Sequence, residues 1–404
     1  RSECRVNAAA LLPAAGLVAL AAAGTSFAAS PHAAPLCVAC IAVRVGPPVV
    51  VRGPFPDELD APFAALKLAD GSFRGFSANG TTYAIEGATV RDMGGPRRAV
   101  LTAGEKGSAA ECGRWLTSMA RSGDRILGLV HQERDCDYDQ GRTDKSMAIA
   151  SSADEGLSWT DLGTIITGRD ASQHTGITGE GDCTMADPHD GYLYAYCLRN
   201  SDGQTIAARA PASDPSVWHK YYEGGWTEPG LGGNATAVGF VGPGVGYLGE
   251  QHGLAAVTVD PWFGGVRLSL STDMVSFVDL EAPLLDIDGS DWHRPADTAL
   301  VAYASIVNPQ TGGNEVDRHF LLSYIYVPAG QGFGSRYLVQ QDVTLSVEDK
   351  PVATPTGVAL TRWSDPTGHI YVTSTGPLTG DRLAYHQDKI VAYMLTRAPT
   401  GVPS

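Results

Sequence analysis

Residues 129–145 read LVHQERDCDYDQGRTDK, the most unusual stretch of this 404-residue chain for the side chains it gathers. His131 and Glu133 are two apart, so on a β-strand both project from one face. A histidine beside a carboxylate is equipment for moving protons. Asp135, Asp137 and Asp139 follow as D-x-D-x-D and offer the hard oxygen ligands that Ca²⁺ takes. An EF-hand loop does not fit, because Gly141 falls at the seventh loop position instead of the sixth, and Ser146 stands where the twelfth needs Glu. A looser Ca²⁺ site and a solvated acidic loop tethered through Cys136 both remain open. Arg142 and Lys145 add cations that can hold a polar or anionic group.

TGEGDCTMADP, residues 178–188, supplies a second alternating pair, Glu180 and Asp182, and ELDAPF supplies Asp60. Each of these carboxylates can equally cap a turn. Further binding candidates are His252 in GEQHG, Trp262 ahead of the run that holds Arg267, and Trp292, His293 and Arg294 in GSDWHRP. An indole can stack on a sugar ring and a guanidinium can clamp a carboxylate, although a Trp is more often packing.

Such groups need elements that bring them together. Apolar runs rich in Val, Ile, Tyr and Thr alternate with polar residues, and 48 Gly and 25 Pro punctuate them. Five segments between residues 60 and 345 share a plan of β-run, Asp-Gly or similar turn, and a further β-run. Their spacing of about 45–65 residues suits the four-stranded blades of a propeller. A two-sheet sandwich explains the strands but not the recurrence of one turn signal at one place in the repeat. The expectation is therefore all-β: a β-propeller, five-bladed, over 50–345, with 346–404 as a C-terminal β extension that closes the ring or forms a small module.

Composition narrows the partners. The chain carries 29 basic and 44 acidic residues, a formal charge of −15, which argues against nucleic acid and anionic membranes. The N-terminal residues 1–29 have a basic flank, an apolar run from about Ala8 to Ala23 and small residues after it, the order of a secretory leader, with 30–49 as a linker. Beyond that leader no run is long and apolar enough to span a bilayer. Export to the periplasm, cell surface or medium permits disulfides. Cys112 and Cys136 bracket one strand, and Cys183 and Cys197 flank a strand–turn–strand, so two local bridges are expected. Cys37 and Cys40 form a lone C-x-x-C, read as a local bridge or free thiols.

The octet SADEGLSW, residues 152–159, places Ser152, Asp154, Gly156, Ser158 and Trp159 in the pattern Ser-x-Asp-x-Gly-x-Ser-Trp. It resembles the Asp box of sialidases and other bladed propellers. STDMVSF, residues 271–277, is a degenerate second copy, similar to the S-x-D-x-x-x-W/F turns of five-bladed glycosidases. The openings DAPFAALKLADG and GDCTMADPHDGYLYAY also resemble the blade starts of those enzymes. The likeness is architectural, covers roughly 50–345, and singles out no one enzyme family. It implies that the octet is a hairpin clamp on outer strands, with Asp154 holding a turn.

The same resemblance implies a glycoside hydrolase that uses carboxylates from separate blades. By position Asp60 would be nucleophile or base and Glu180 the acid, with His131, Glu133 and Asp182 nearby. A polysaccharide lyase is the rival, with His131 as base and Arg142 or Arg294 neutralising a uronate. A non-catalytic glycan-binding or cell-surface propeller is the third reading. All three have carbohydrate as the partner.

Overall fold

The structure, a computed structural model, describes residues 38–170, 176–239, 243–259, 265–280, 283–285, 287, 298–347, 358–365, 368–372 and 386–394. These belong to the compact unit Leu36–Ser404. Among the described residues every regular element is a strand or a short 3₁₀ turn, and no helix is long and apolar enough to cross a membrane.

The strands form successive antiparallel meanders. Ala64–Lys67, Phe73–Asn79, Thr81–Gly87 and Arg97–Leu101 make the first sheet. Gly113–Ser122, Arg125–Asp137, Arg142–Ser152 and Thr160–Thr167 make the second group. The third comprises Ile177–Ala186, Tyr192–Arg199, Gln204–Pro211, His219–Tyr222 and Gly225–Pro229. The second and third groups are continuous, because Ile177–Gly179 pairs in parallel with Thr143–Lys145. Pro243–Leu248, Gly253–Val259, Val266–Ser271 and Val278–Asp279 follow, with Glu315–Val316 added beside the first of them. Leu300–Val307, His319–Val327 and Arg336–Val347 make the last group.

The opening strand of each group lies against that of the next, and the last returns to the first. Met185 N–H donates to Ser118 Oγ (2.8 Å), Val245 N–H to Thr184 Oγ1 (3.0 Å), and Ser305 Oγ–H to the carbonyl of Phe63 (3.2 Å). Asn314 fastens two groups at once, its Nδ2 donating to the carbonyls of Met185 and Val245. Ala64, Thr117, Thr184, Val245 and Ser305, one from each opening strand, line a single cavity of about 30 Å³, room for about one water. This cyclic order is a β-propeller. Apolar clusters between adjacent sheets form its core, the largest around Leu268, Phe320 and Val343.

The ring closes through the N-terminal side of the chain. Ile41–Val45 and Val49–Phe55 both pair antiparallel with Arg336–Val347. The stretch read from sequence as linker, 30–49, thus contains a strand of the last sheet, and among the described residues the strands beside Arg336–Val347 come from the N-terminal side and not from the C-terminal extension. In that extension the strands Val358–Asp365, Gly368–Val372 and His386–Met394 form their own three-stranded antiparallel sheet.

The octet joins the third and fourth strands of its sheet. Asp154 Oδ1 accepts from Ser158 N–H (2.9 Å) and Ser152 Oγ–H (2.8 Å), while Oδ2 accepts from Ser158 Oγ–H (2.6 Å). These donors overcome the desolvation of the Asp154 carboxyl and lower its pKa to about 2. Gly156, at φ +85°, leaves no room for a Cβ against Phe76, and Trp159 packs edge-on to that ring while Nε1 donates to the Gly156 carbonyl. Asp273 repeats the device, accepting from Val275 and Ser276 N–H between the same two strand positions of its own sheet. A third copy was not singled out from sequence: Asp214 accepts from Ser216, and Trp218 Nε1 donates to the Pro215 carbonyl. Both expected disulfides form, Cys112–Cys136 and Cys183–Cys197.

Candidate active site

Strand Arg125–Asp137 carries His131 and Glu133 opposite Trp115 and Gly113 of the opening strand beside it. Alternation aims both side chains at one place, as expected. His131 is 3% exposed. Its Nδ1 accepts from the Asp182 backbone N–H (2.9 Å), and its Nε2 lies 3.0 Å from Glu133 Oε1. A backbone amide can only donate, so the proton of the ring sits on Nε2 and points at Glu133. Trp115 stands edge-on to the imidazole at 5.3 Å. Gly181 permits this approach, because a Cβ there would lie 2.6 Å from His131 Cε1.

Glu133 also accepts at Oε2 from Tyr138 Oη–H (2.7 Å) and Thr143 Oγ1–H (3.0 Å). Burial opposes its ionisation, but the His131 and Tyr138 hydrogen bonds and the Lys145 charge prevail and lower its pKa to about 2. Asp182 lies on Ile177–Ala186, where the pairing slips between Gly181 and Thr184, and it adopts φ +52°. A non-glycine residue held there inside a strand is strained, and the bulge re-aims its carboxylate. Asp182 Oδ2 meets Lys145 Nζ at 2.8 Å. Burial would raise its pKa, yet the charge and hydrogen bond of Lys145 lower it to about 2. For Lys145, burial works against its charge, but Asp182, Glu133 and Asp60 raise its pKa above the usual lysine value.

Asp60 enters from the segment before the first sheet and accepts at Oδ1 from Arg336 Nη1 (2.8 Å). About a quarter of its side chain (26%) is open to solvent. Its pKa is raised: burial dominates over the Arg336 charge, and the Asp182 and Glu133 carboxylates push the same way. Tyr303, at φ +52° in the irregular part of Leu300–Val307, lies within range of the charges on the same three carboxyls. Burial and those charges hold its phenol well above the ordinary value, so it keeps its proton. Asp60, His131, Glu133, Lys145, Asp182, Tyr303 and Arg336 therefore share one site, drawn from three groups of strands and the segment before the first sheet.

Other expectations are corrected. Glu180 stands apart, its carboxylate 2.7 Å from Lys220 Nζ with both side chains buried. Desolvation raises the pKa of Glu180 against the pull of Lys220. The bulge after Gly181 breaks the alternation that would have aimed Glu180 and Asp182 together, so Glu180 is half of a core ion pair while Asp182 meets Lys145. Arg142 pairs with Asp137 (3.6 Å) on the hairpin flank. The acidic run does not make a cation cage. Asp137 caps the 3₁₀ turn through Gln140 N–H, the Asp135 amide is held by Glu111, and among the described residues no group of three or more His, Cys, Asp or Glu is arranged to hold a metal. His252 lies in another group, beside Tyr247, and Arg267 is opposite Thr258 on Val266–Ser271. Trp262, Trp292, His293 and Arg294 lie outside the described residues.

Arg336, Tyr303 and Tyr138 were missed. Arg336 comes from the far end of the propeller sequence, and nothing local marks it. Tyr138 sits in the stretch that was singled out and reads there as loop.

No family model and no curated protein matches the chain. Among solved structures it is similar to an α-L-arabinofuranosidase from Podospora anserina in complex with cellotriose, at 10% identity over 76% of this chain and 98% of that one, TM-score 0.48. A family 117 glycoside hydrolase of Zobellia galactanivorans is 10% identical over 79% of this chain and 94% of its own, TM-score 0.46. An α-L-arabinofuranosidase of Lactobacillus brevis is 13% identical over 71% and 91%, TM-score 0.45.

Proposed function

We propose that this chain is an exported glycoside hydrolase, a five-bladed propeller working with Asp60 as general acid and Asp182 as the ionised base or nucleophile. The observation that carries this is two carboxyls held in different surroundings: Asp182 is paired with Lys145 Nζ at 2.8 Å and its pKa lies low, while Asp60 sits where burial raises its pKa despite Arg336 at 2.8 Å. Divergent carboxyl pKa values are what glycoside hydrolysis needs, one group giving a proton to the leaving oxygen and the other remaining an anion. The roles differ from those implied by resemblance, where Asp60 was the anion. Lys145 lowers the Asp182 value, burial raises that of Asp60 against the Arg336 charge, and Glu133, with its hydrogen bonds filled by three neighbours, positions His131 and Tyr138.

The lyase alternative loses its base, because both ring nitrogens of His131 are engaged and the side chain is buried. Two disulfides suit an oxidising compartment, and the net charge of −15 suits a neutral glycan.

The test is hydrolysis of aryl glycosides with graded leaving groups. Asp60→Asn lowers kcat by about 10²–10⁴ on poor leaving groups and far less on dinitrophenyl glycosides, which need no acid. Asp182→Ala abolishes turnover on all of them, with partial rescue by azide or formate. Unchanged rates in both variants, or ultraviolet-absorbing unsaturated products, would overturn the reading.

A further inference from the structure

One exposed ring stands at this site with its polar end tied down. Tyr138 is 61% exposed, yet its hydroxyl donates to Glu133 Oε2 at 2.7 Å. An exposed tyrosine ordinarily turns its hydroxyl to water and leaves its ring free to move. Here the hydroxyl is anchored on a buried carboxylate and the ring is displayed. Burial and the Glu133 and Asp60 charges hold the phenol well above its usual pKa, so it remains a donor.

The backbone beneath it is built to keep that pose. Tyr138 opens the 3₁₀ turn Tyr138–Gln140, capped by Asp137 before it and closed by Gly141 in the left-handed region (φ +61°). Asp135, at φ +53°, marks the irregular pairing between Arg134 and Asp137 that turns the hairpin tip. Cys112–Cys136 crosslinks this tip to the start of the neighbouring strand. Cys136 Sγ lies 3.3 Å from Thr143 Oγ1, which donates to the carboxylate oxygen that Tyr138 uses. Beside the tip a cleft of about 420 Å³ is lined by Glu111, Asp135, Cys136 and Arg142, a size that accommodates small ligands.

We propose that Tyr138 is the stacking platform for a neutral sugar residue, a specificity-determining group fixed by Glu133 and the Cys112–Cys136 staple. It rests on the hydrolase reading for its purpose but not for its test. A pre-oriented aromatic ring offers the apolar C–H face of a sugar a large contact at little entropic cost, because its rotamer is already set. The polar lining of the cleft would take the hydroxyls of the adjoining unit.

The experiment measures binding of xylotriose, arabinotriose and galactotriose by calorimetry to Asp182→Asn, which does not turn them over. At least one binds, Tyr138→Ala in that background weakens it tenfold or more, and Tyr138→Phe, which keeps the ring but loses the anchor, weakens it about two- to fivefold. The double variant Cys112→Ser/Cys136→Ser falls in the same range as Tyr138→Phe, with the fold intact by circular dichroism. Unaltered affinity in a folded Tyr138→Ala overturns the platform, as does binding of none of the three sugars. Tyr138-dependent binding without wild-type turnover would instead remove the hydrolase reading and leave the platform standing.

Discussion

Lys145 sits 2.8 Å from Asp182 and is the chief attraction lowering that carboxyl's pKa to about 2. The sign of its removal follows directly. Lys145→Met leaves a desolvated carboxylate without its counter-charge, so the Asp182 pKa rises and the acid limb of kcat/KM moves to higher pH. Arg336 lowers the raised Asp60 pKa, so Arg336→Met raises it further and moves the alkaline limb upward. The two variants therefore displace opposite limbs in the same direction, which a pH–rate profile reads separately. A purely structural role for either cation would lower activity at all pH values alike. His131 and Glu133 were legible at this scale because they share a strand face. Tyr303 and Arg336 were not, since each reaches the site only through the packing of a distant sheet.

At the scale of single elements, the three Asp-centred turns occupy equivalent third-to-fourth strand connections in separate groups. The octet announced this from its residue types alone, since Asp, Gly and Trp at those spacings each have one evident job in a tight hairpin. The Asp214 copy escaped notice because Ala212 replaces the leading Ser and Pro215 disguises the turn. Asp154→Ala should cost about 1–2 kcal/mol, the scale of a lost side-chain cap, as a lower melting temperature with kcat unchanged. Because the folded-state pKa is depressed, the Asp154 contribution is present above the unfolded value near 4 and fades as pH falls toward about 2. Melting curves of the variant and parent should thus converge in acid. The bulge at Asp182 is the contrary case. Period-two reasoning aimed Glu180 and Asp182 together, and one irregular residue separated them.

For the whole propeller, closure depends on Ile41–Val45 and Val49–Phe55 lying along Arg336–Val347. Ile41 adds to the apolar cluster of the last sheets, and Val51 to the one shared with the first. Gln341 Nε2 donates to the Gly46 carbonyl, an additional tie across the seam. Deleting residues 38–47 would bare the edge of Arg336–Val347, and an open edge pairs with other chains. The expected outcome is a lower melting temperature together with association visible by light scattering. Because Arg336 lies on the same strand as that seam, activity at the Asp60 site should fall as well.

By itself the sequence determined the all-β character, the repeating blade plan, the two disulfides and the strand face bearing His131 and Glu133. These follow from local periodicity, turn chemistry and short separations along the chain. Only the tertiary structure decided that Asp182 meets Lys145 while Glu180 turns to Lys220, that Arg336 pairs with Asp60, and that the ring closes from the N-terminal side. The physical reason is common to all three. Each depends on where sheets meet, or on one bulged residue, and neither leaves a periodic trace in the order of the amino acids.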